Sequence, residues 1–118
     1  MNKLTLSQEI NILHANICSA ISEPSRILLL YAIQEKPRNV NGLAEAVEIS
    51  QPAASRHLKV LKESGLIQAN RAGANVIYTL IDDRLIQALD LLRDVLFDRM
   101  AQRADLFNAN HSSKKENL

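Results

Sequence analysis

Ser50-Gln51-Pro52-Ala53-Ala54-Ser55-Arg56-His57-Leu58-Lys59-Val60-Leu61-Lys62-Glu63-Ser64-Gly65-Leu66 is the stretch whose reading decides the fold. Ser50 is a good helix N-cap, and Pro52 is tolerated in a first helical turn, where its missing N–H costs nothing. From there Ala54, Leu58 and Leu61 fall on one helical face, and Arg56, Lys59 and Glu63 on the opposite one. Gly65 supplies a left-handed stop. The stretch therefore predicts a helix over 51–64 with an apolar back, a basic front and abrupt ends.

Downstream, Leu66–Arg71 and Val76–Ile81 read as two strands. Ala72-Gly73-Ala74-Asn75 turns between them, which makes a hairpin. Upstream, residues 41–48 form a short helix with Leu43, Ala44 and Val47 inward, and Glu48-Ile49-Ser50 is a tight turn. Lys36-Pro37-Arg38-Asn39 is a loop. Residues 24–36 give a strongly apolar central helix carrying Ile27, Leu28, Leu30, Tyr31 and Ile33. Pro24 opens it, and Ser22-Glu23-Pro24 ends the preceding helix, 5–21, on which Leu6, Ile10, Leu13, Ile17 and Ile21 recur at helical steps. Short helix, tight turn, longer helix, glycine stop and hairpin, in that order, predict a winged helix-turn-helix. The fold class is mainly α with a small β-hairpin: about five helices and a two-stranded wing.

The longest helix spans 83–106. Leu85, Leu89, Leu92, Leu96 and Met100 mark one stripe, while Ile86, Ala88, Leu91, Val95 and Phe97 fall outside it. A helix this broadly apolar needs more than one surface to bury against. The expectation is a homodimer formed through the first and last helices. Residues 1–107 are read as one DNA-binding and dimerisation domain, and 108–118 as a disordered polar tail.

Composition agrees with packed helices. The 118 residues are 47% hydrophobic but only 3% aromatic, so the core is built from Leu, Ile, Val and Ala. No apolar run approaches the length of a membrane span. The stretch Met1–Glu9 has no apolar signal core, and a single cysteine cannot close an internal disulfide, so the expected compartment is the cytoplasm. The net charge of +1 says little, but its distribution is uneven. Residues 51–75 carry Arg56, Lys59, Lys62 and Arg71 against Glu63 alone, whereas 82–105 carry six aspartates against four arginines. Ordinary solvated faces would also give such a distribution.

The helix over 51–64 suits a DNA groove. A groove-entering helix needs hydrogen-bonding side chains near its N-terminal half, cations on its flank and an apolar back. Gln51, Ser55 and Arg56 supply the front, behind Pro52 in the first turn. Gln pairs bidentately with adenine and Arg with guanine. Lys59 and Lys62 are placed for phosphates, and the wing adds Arg71 and Asn75. Two such units on a dimer would read a pseudo-palindromic operator in double-stranded DNA, with half-sites roughly 34 Å apart. The plainer reading, an amphipathic surface helix, is weakened by the order of elements around it.

Here the chain resembles the ArsR/SmtB family of small dimeric bacterial repressors. The resemblance rests on Ser22-Glu23-Pro24-Ser25-Arg26-Ile27, on Gly42-Leu43-Ala44-Glu45-Ala46, and on Ser50 through Leu61, continued by Leu66-Ile67 and a wing ending in Tyr78. It implies repression by operator binding, released by an inducer, with the helix over 51–64 in the major groove. His57 falls at a position characteristic of the family. Its phase puts it on the flank of the core face, where it is either structural or a phosphate contact. One departure is Glu48, where the family usually has glycine to end the motif's first helix. A left-handed non-glycine residue costs about 1 kcal/mol.

The resemblance also implies places to look for a sensor. The family's arsenic and cadmium sites use Cys-x-Cys near the start of the motif's first helix, but Asn39 through Glu45 hold no thiolate. The zinc and nickel spacing of the last helix falls here on Asp82-x-Arg84 and Val95-x-x-Asp98, which leaves two isolated carboxylates, poor zinc ligation. The expectation is no metal and no cofactor through these sites. His14 and Cys18, four residues apart on one helix face, could supply two ligands from each protomer across a dimer. Cys18 alone is a candidate for oxidation or a disulfide across a twofold axis, against the bland reading of a small buried hydrophobe. The inducer is not legible. The rival from another class is a winged-helix protein-interaction module that no longer binds DNA. An enzyme is not expected, because there is no phosphate loop, nucleophile motif or clustered acid/base pair.

Overall fold

The computed structural model describes residues 3–116, with side chains described through Leu106 and at Asn108. It divides into two compact units, residues 1–83 and 84–118.

The first unit begins with α1 (Leu6–Leu13), which continues directly into a π-helical turn (His14–Cys18). Thr5 caps α1 through a reciprocal capping box with Gln8. No residue of α1 or of the π turn is buried. The sequence reading gave one regular helix over 5–21; an extra residue in the turn has no compositional signature.

Next comes α2 (Pro24–Glu35), with Pro24 at its start. It buries Leu29, Leu30, Ala32 and Ile33. Leu28, one of the residues that mark this helix as apolar, is exposed, whereas Leu29 is in the core. Four apolar residues in a row, Ile27 through Leu30, leave periodicity unable to choose between them. Helix α3 (Val40–Val47) is capped by Asn39, whose side chain accepts from the Gly42 N–H at 2.9 Å. Leu43 and Ala44 are buried, and Val47 is partly so. Helix α4 (Gln51–Glu63) follows after the turn.

β1 (Ile67–Ala72) and β2 (Asn75–Leu80) pair antiparallel from Ile67–Leu80 to Ala72–Asn75. The loop is thus Gly73-Ala74, with Gly73 at φ 65°, the left-handed first position that a tight two-residue hairpin demands. Arg38, read as loop, adds a bridge to the wing: the Tyr78 N–H donates to its carbonyl at 3.0 Å. The core of this unit is an aliphatic cluster of Leu29, Leu30, Leu43, Leu58, Leu61 and Ile67, all with negligible exposure.

The second unit is α5 (Arg84–Glu116). Its backbone is helical past 107, over residues for which a polar tail was expected. Of that expected tail, the side chains of 109–116 and all of 117–118 lie outside the described residues. Ile86 and Leu89 are buried, whereas Leu91, Leu92, Val95, Leu96, Phe97, Met100 and Leu106 are exposed. No described helix is long and apolar enough to cross a membrane.

Candidate nucleic-acid interface

The site is built on α4, and local chemistry fixes both ends of that helix. The Ser50 hydroxyl accepts from the Ala53 N–H at 3.2 Å, and Pro52 occupies the first turn. At the other end the Leu66 N–H donates to the Leu61 carbonyl and the Gly65 N–H to the Lys62 carbonyl, both at 3.0 Å, with Gly65 at φ 76°. This is a Schellman stop. Between the ends, Ala54, Leu58 and Leu61 are buried. They pack the helix against α2, α3 and β1.

That packing leaves the polar side chains outward. Gln51, Pro52, Ser55, Arg56, Lys59 and Lys62 are all exposed. Lys59 meets Glu63 one turn on, at 4.0 Å, with both side chains largely in solvent. An exposed pair of that kind is worth well under about 1 kcal/mol and leaves Lys59 available to another anion.

On the wing, Arg71 and Asn75 are both exposed. The Asn75 side-chain oxygen lies 3.3 Å from the Asn39 amide nitrogen, which donates to it. The turn end of the wing is thereby tied to the cap of α3. Sequence reasoning passed over Asn39, although an Asn directly before an apolar-periodic run is an N-cap signal that could have found it.

His57 is set apart from the other α4 residues. It is partly buried, and its Nδ1 lies 3.3 Å from a terminal nitrogen of Arg26 on α2. No sequence signal couples these two residues, 31 positions apart.

Cys18 is exposed in the single chain, on the first helical segment that was expected to meet a partner subunit. It sits at the end of the π turn that begins at His14. Among the described residues there is no group of three or more His, Cys, Asp or Glu side chains placed to hold a metal.

Comparison with known proteins places this arrangement. Residues 23–69, from the start of α2 into β1, match the profile of the bacterial regulatory protein arsR family. The chain is 38% identical over 76 residues to the HTH-type transcriptional regulator NmtR of Mycobacterium tuberculosis, covering 64% of this chain and 63% of that protein. It is 31% identical over 78 residues to the biofilm growth-associated repressor of Xylella fastidiosa, covering 66% and 68%. The crystal structure of NolR from Sinorhizobium fredii superposes with a TM-score of 0.68 at 29% identity, over 80% of this chain and 96% of that one. The chain belongs to the ArsR family of bacterial regulatory proteins, and its fold is the winged helix-turn-helix. It spans less than two thirds of the mycobacterial regulator's length.

Proposed function

We propose that the protein is a homodimeric, sequence-specific transcriptional repressor of the cytoplasm, with residues 1–107 as its DNA-binding and dimerisation domain. In this reading α4 lies in the major groove and the wing, 71–76, meets the flanking backbone or minor groove. One observation carries it. A single helix buries Ala54, Leu58 and Leu61 and turns Gln51, Ser55, Arg56, Lys59 and Lys62 to solvent. Base-edge readers lie toward its N-terminal half and cations follow, the distribution that groove entry requires. The similarity to the biofilm growth-associated repressor of Xylella fastidiosa supports the direction of regulation.

The roles follow from chemistry. Gln51 and Arg56 have bidentate geometry for adenine and guanine edges. Ser55 both donates and accepts, and Lys59 and Lys62 neutralise phosphates. Arg71 reaches from the wing, where Asn75 is held by Asn39. The dimer is supported by two exposed apolar faces: Leu6, Ile10 and Leu13 on α1, and Leu92, Leu96 and Met100 on α5.

The test is binding to duplexes selected by the protein from a randomised pool. The expected result is recovery of a pseudo-palindrome, bound with an affinity that falls steeply and log-linearly with salt. No selection, and no salt-dependent binding of any duplex, would leave the protein-interaction module as the better account. The exposure of Cys18 favours keeping a thiol input in view. A Cys18→Ser variant with unchanged operator release under oxidant would remove it.

A further inference from the structure

The Arg26 guanidinium sits where three parts of the first unit meet. Its Nε donates to the Ala20 carbonyl, and one terminal nitrogen donates to the Ser19 carbonyl at 3.3 Å. Both carbonyls lie just past the π turn, at the end of the first helical segment, where the Ser19 carbonyl also accepts from the Ser22 hydroxyl at 2.7 Å. The other terminal nitrogen is 3.3 Å from His57 Nδ1 on α4. Arginine nitrogens only donate. In this contact Nδ1 is therefore the acceptor.

Resting on the DNA-binding reading above, we infer that Arg26 is a positioning residue for DNA recognition, acting through His57 to set the rotation of α4 relative to the end of the first helix. The apolar contacts of Ala54, Leu58 and Leu61 hold α4 down but are non-directional, so they tolerate small rotations about its axis. A hydrogen bond is directional, and this one is made by the residue next to Arg56. A small rotation at His57 swings the long Arg56 side chain by more. The guanidinium is planar and its donors are fixed relative to one another. Two of them are anchored on Ser19 and Ala20, so the third is presented to His57 at an angle set by the first helix. That helix carries the exposed Leu6, Ile10 and Leu13 face proposed to meet a partner subunit. Arg26 is thus a physical connection between the face that assembles and the helix that reads.

The experiment uses the full chain and a duplex that the wild type selects from a randomised pool, with affinity and melting temperature measured for each variant. His57→Ala removes the acceptor. His57→Asn keeps one at nearly the same place, because Oδ1 and Nδ1 are equally far along the side chain. The expected result is about a tenfold loss of affinity for His57→Ala, the size of one charge-assisted hydrogen bond, with most of it restored by His57→Asn. Arg26→Gln should weaken binding to a similar degree in the wild-type background and add little to His57→Ala. His57→Asn as weak as His57→Ala would mean that Nε2 meets the DNA directly, and would overturn the inference. So would unchanged affinity in His57→Ala, or Arg26 and His57 losses that simply multiply. If Arg26→Gln fails to fold, the two His57 variants decide alone. A wild type that selects no duplex would overturn the DNA reading itself, and this inference with it.

Discussion

The segment from α2 to β2 and the two terminal helices treat apolar residues in opposite ways. Between Pro24 and Leu80 nearly every large aliphatic side chain is at least partly covered, and Leu29, Leu30, Leu43, Leu58, Leu61 and Ile67 form a closed core. Only Leu28 and Val76 stand clearly outside it. On α1 no residue is buried, and on α5 the exposed residues run from Leu91 to Leu106. Burial is worth about 25 cal/mol per Å² of apolar surface, so leaving that many leucines in water is a large unrealised stabilisation. The central segment is complete as one chain. The terminal helices have the composition of surfaces that are completed by another.

The largest expected effect comes from breaking the second region. Glutamates at Leu92 and Leu96 place charge on exposed positions, so the folded chain should tolerate them. Sedimentation is expected to show a dimer for the wild type and monomers for the double variant. Operator affinity should fall by about a hundredfold or more, because two linked half-site contacts become independent ones. A wild type that sediments as a monomer at micromolar concentration would undo the contrast altogether.

Arg56→Ala probes the first region at its reading edge. It should cost about 1–3 kcal/mol and relax preference at one base position of each half-site, measured by competition among operator variants. Unchanged affinity would mean that a different face of α4 meets the DNA. Lys62→Ala is expected to be milder and different in kind. It should weaken all sequences alike and reduce the magnitude of the salt slope by about 1 for each half-site. If Lys62→Ala instead altered base preference, the division between readers and phosphate contacts along α4 would be wrong.

The same two regions differ in how much of them was legible. In α4 the reading was local. Ser50, Pro52 and Gly65 fix the ends, and three core residues at helical spacing fix the face. The hairpin was equally local, because Gly73 dictates its turn. In α2 the fold was legible but the face was not, since a run of apolar residues carries no phase. The π turn at His14–Cys18 inserts a residue into a helix without changing its composition, and so leaves no mark in the sequence. The candidate site divides in the same way. The exposed side chains of α4 follow from periodicity, whereas the Arg26–His57 and Asn39–Asn75 contacts join residues more than 30 positions apart and depend on packing.

The smallest expected effect concerns the turn before α4, and it can be argued from a comparison inside the molecule. Helices α3 and α4 end in the same motif. After α4, Leu66 donates to Leu61 and Gly65 to Lys62; after α3, Ile49 donates to Ala44 at 3.0 Å and Glu48 to Glu45 at 3.2 Å. The left-handed position is Gly65 in one and Glu48 in the other, at φ 76° and φ 61°. Glycine takes that conformation freely, whereas a side chain brings Cβ close to the following carbonyl at about 1 kcal/mol. Glu48 is exposed, so no buried contact offsets the strain. Glu48→Gly is therefore expected to be neutral or stabilising, because the relief of strain competes with the greater freedom of glycine in the unfolded chain. The melting temperature should hold or rise by a few degrees at most. Operator affinity should be unchanged, because the backbone turn that aims α4 is the same in both. A lower melting temperature would show that the Glu48 side chain contributes more than its backbone strain costs.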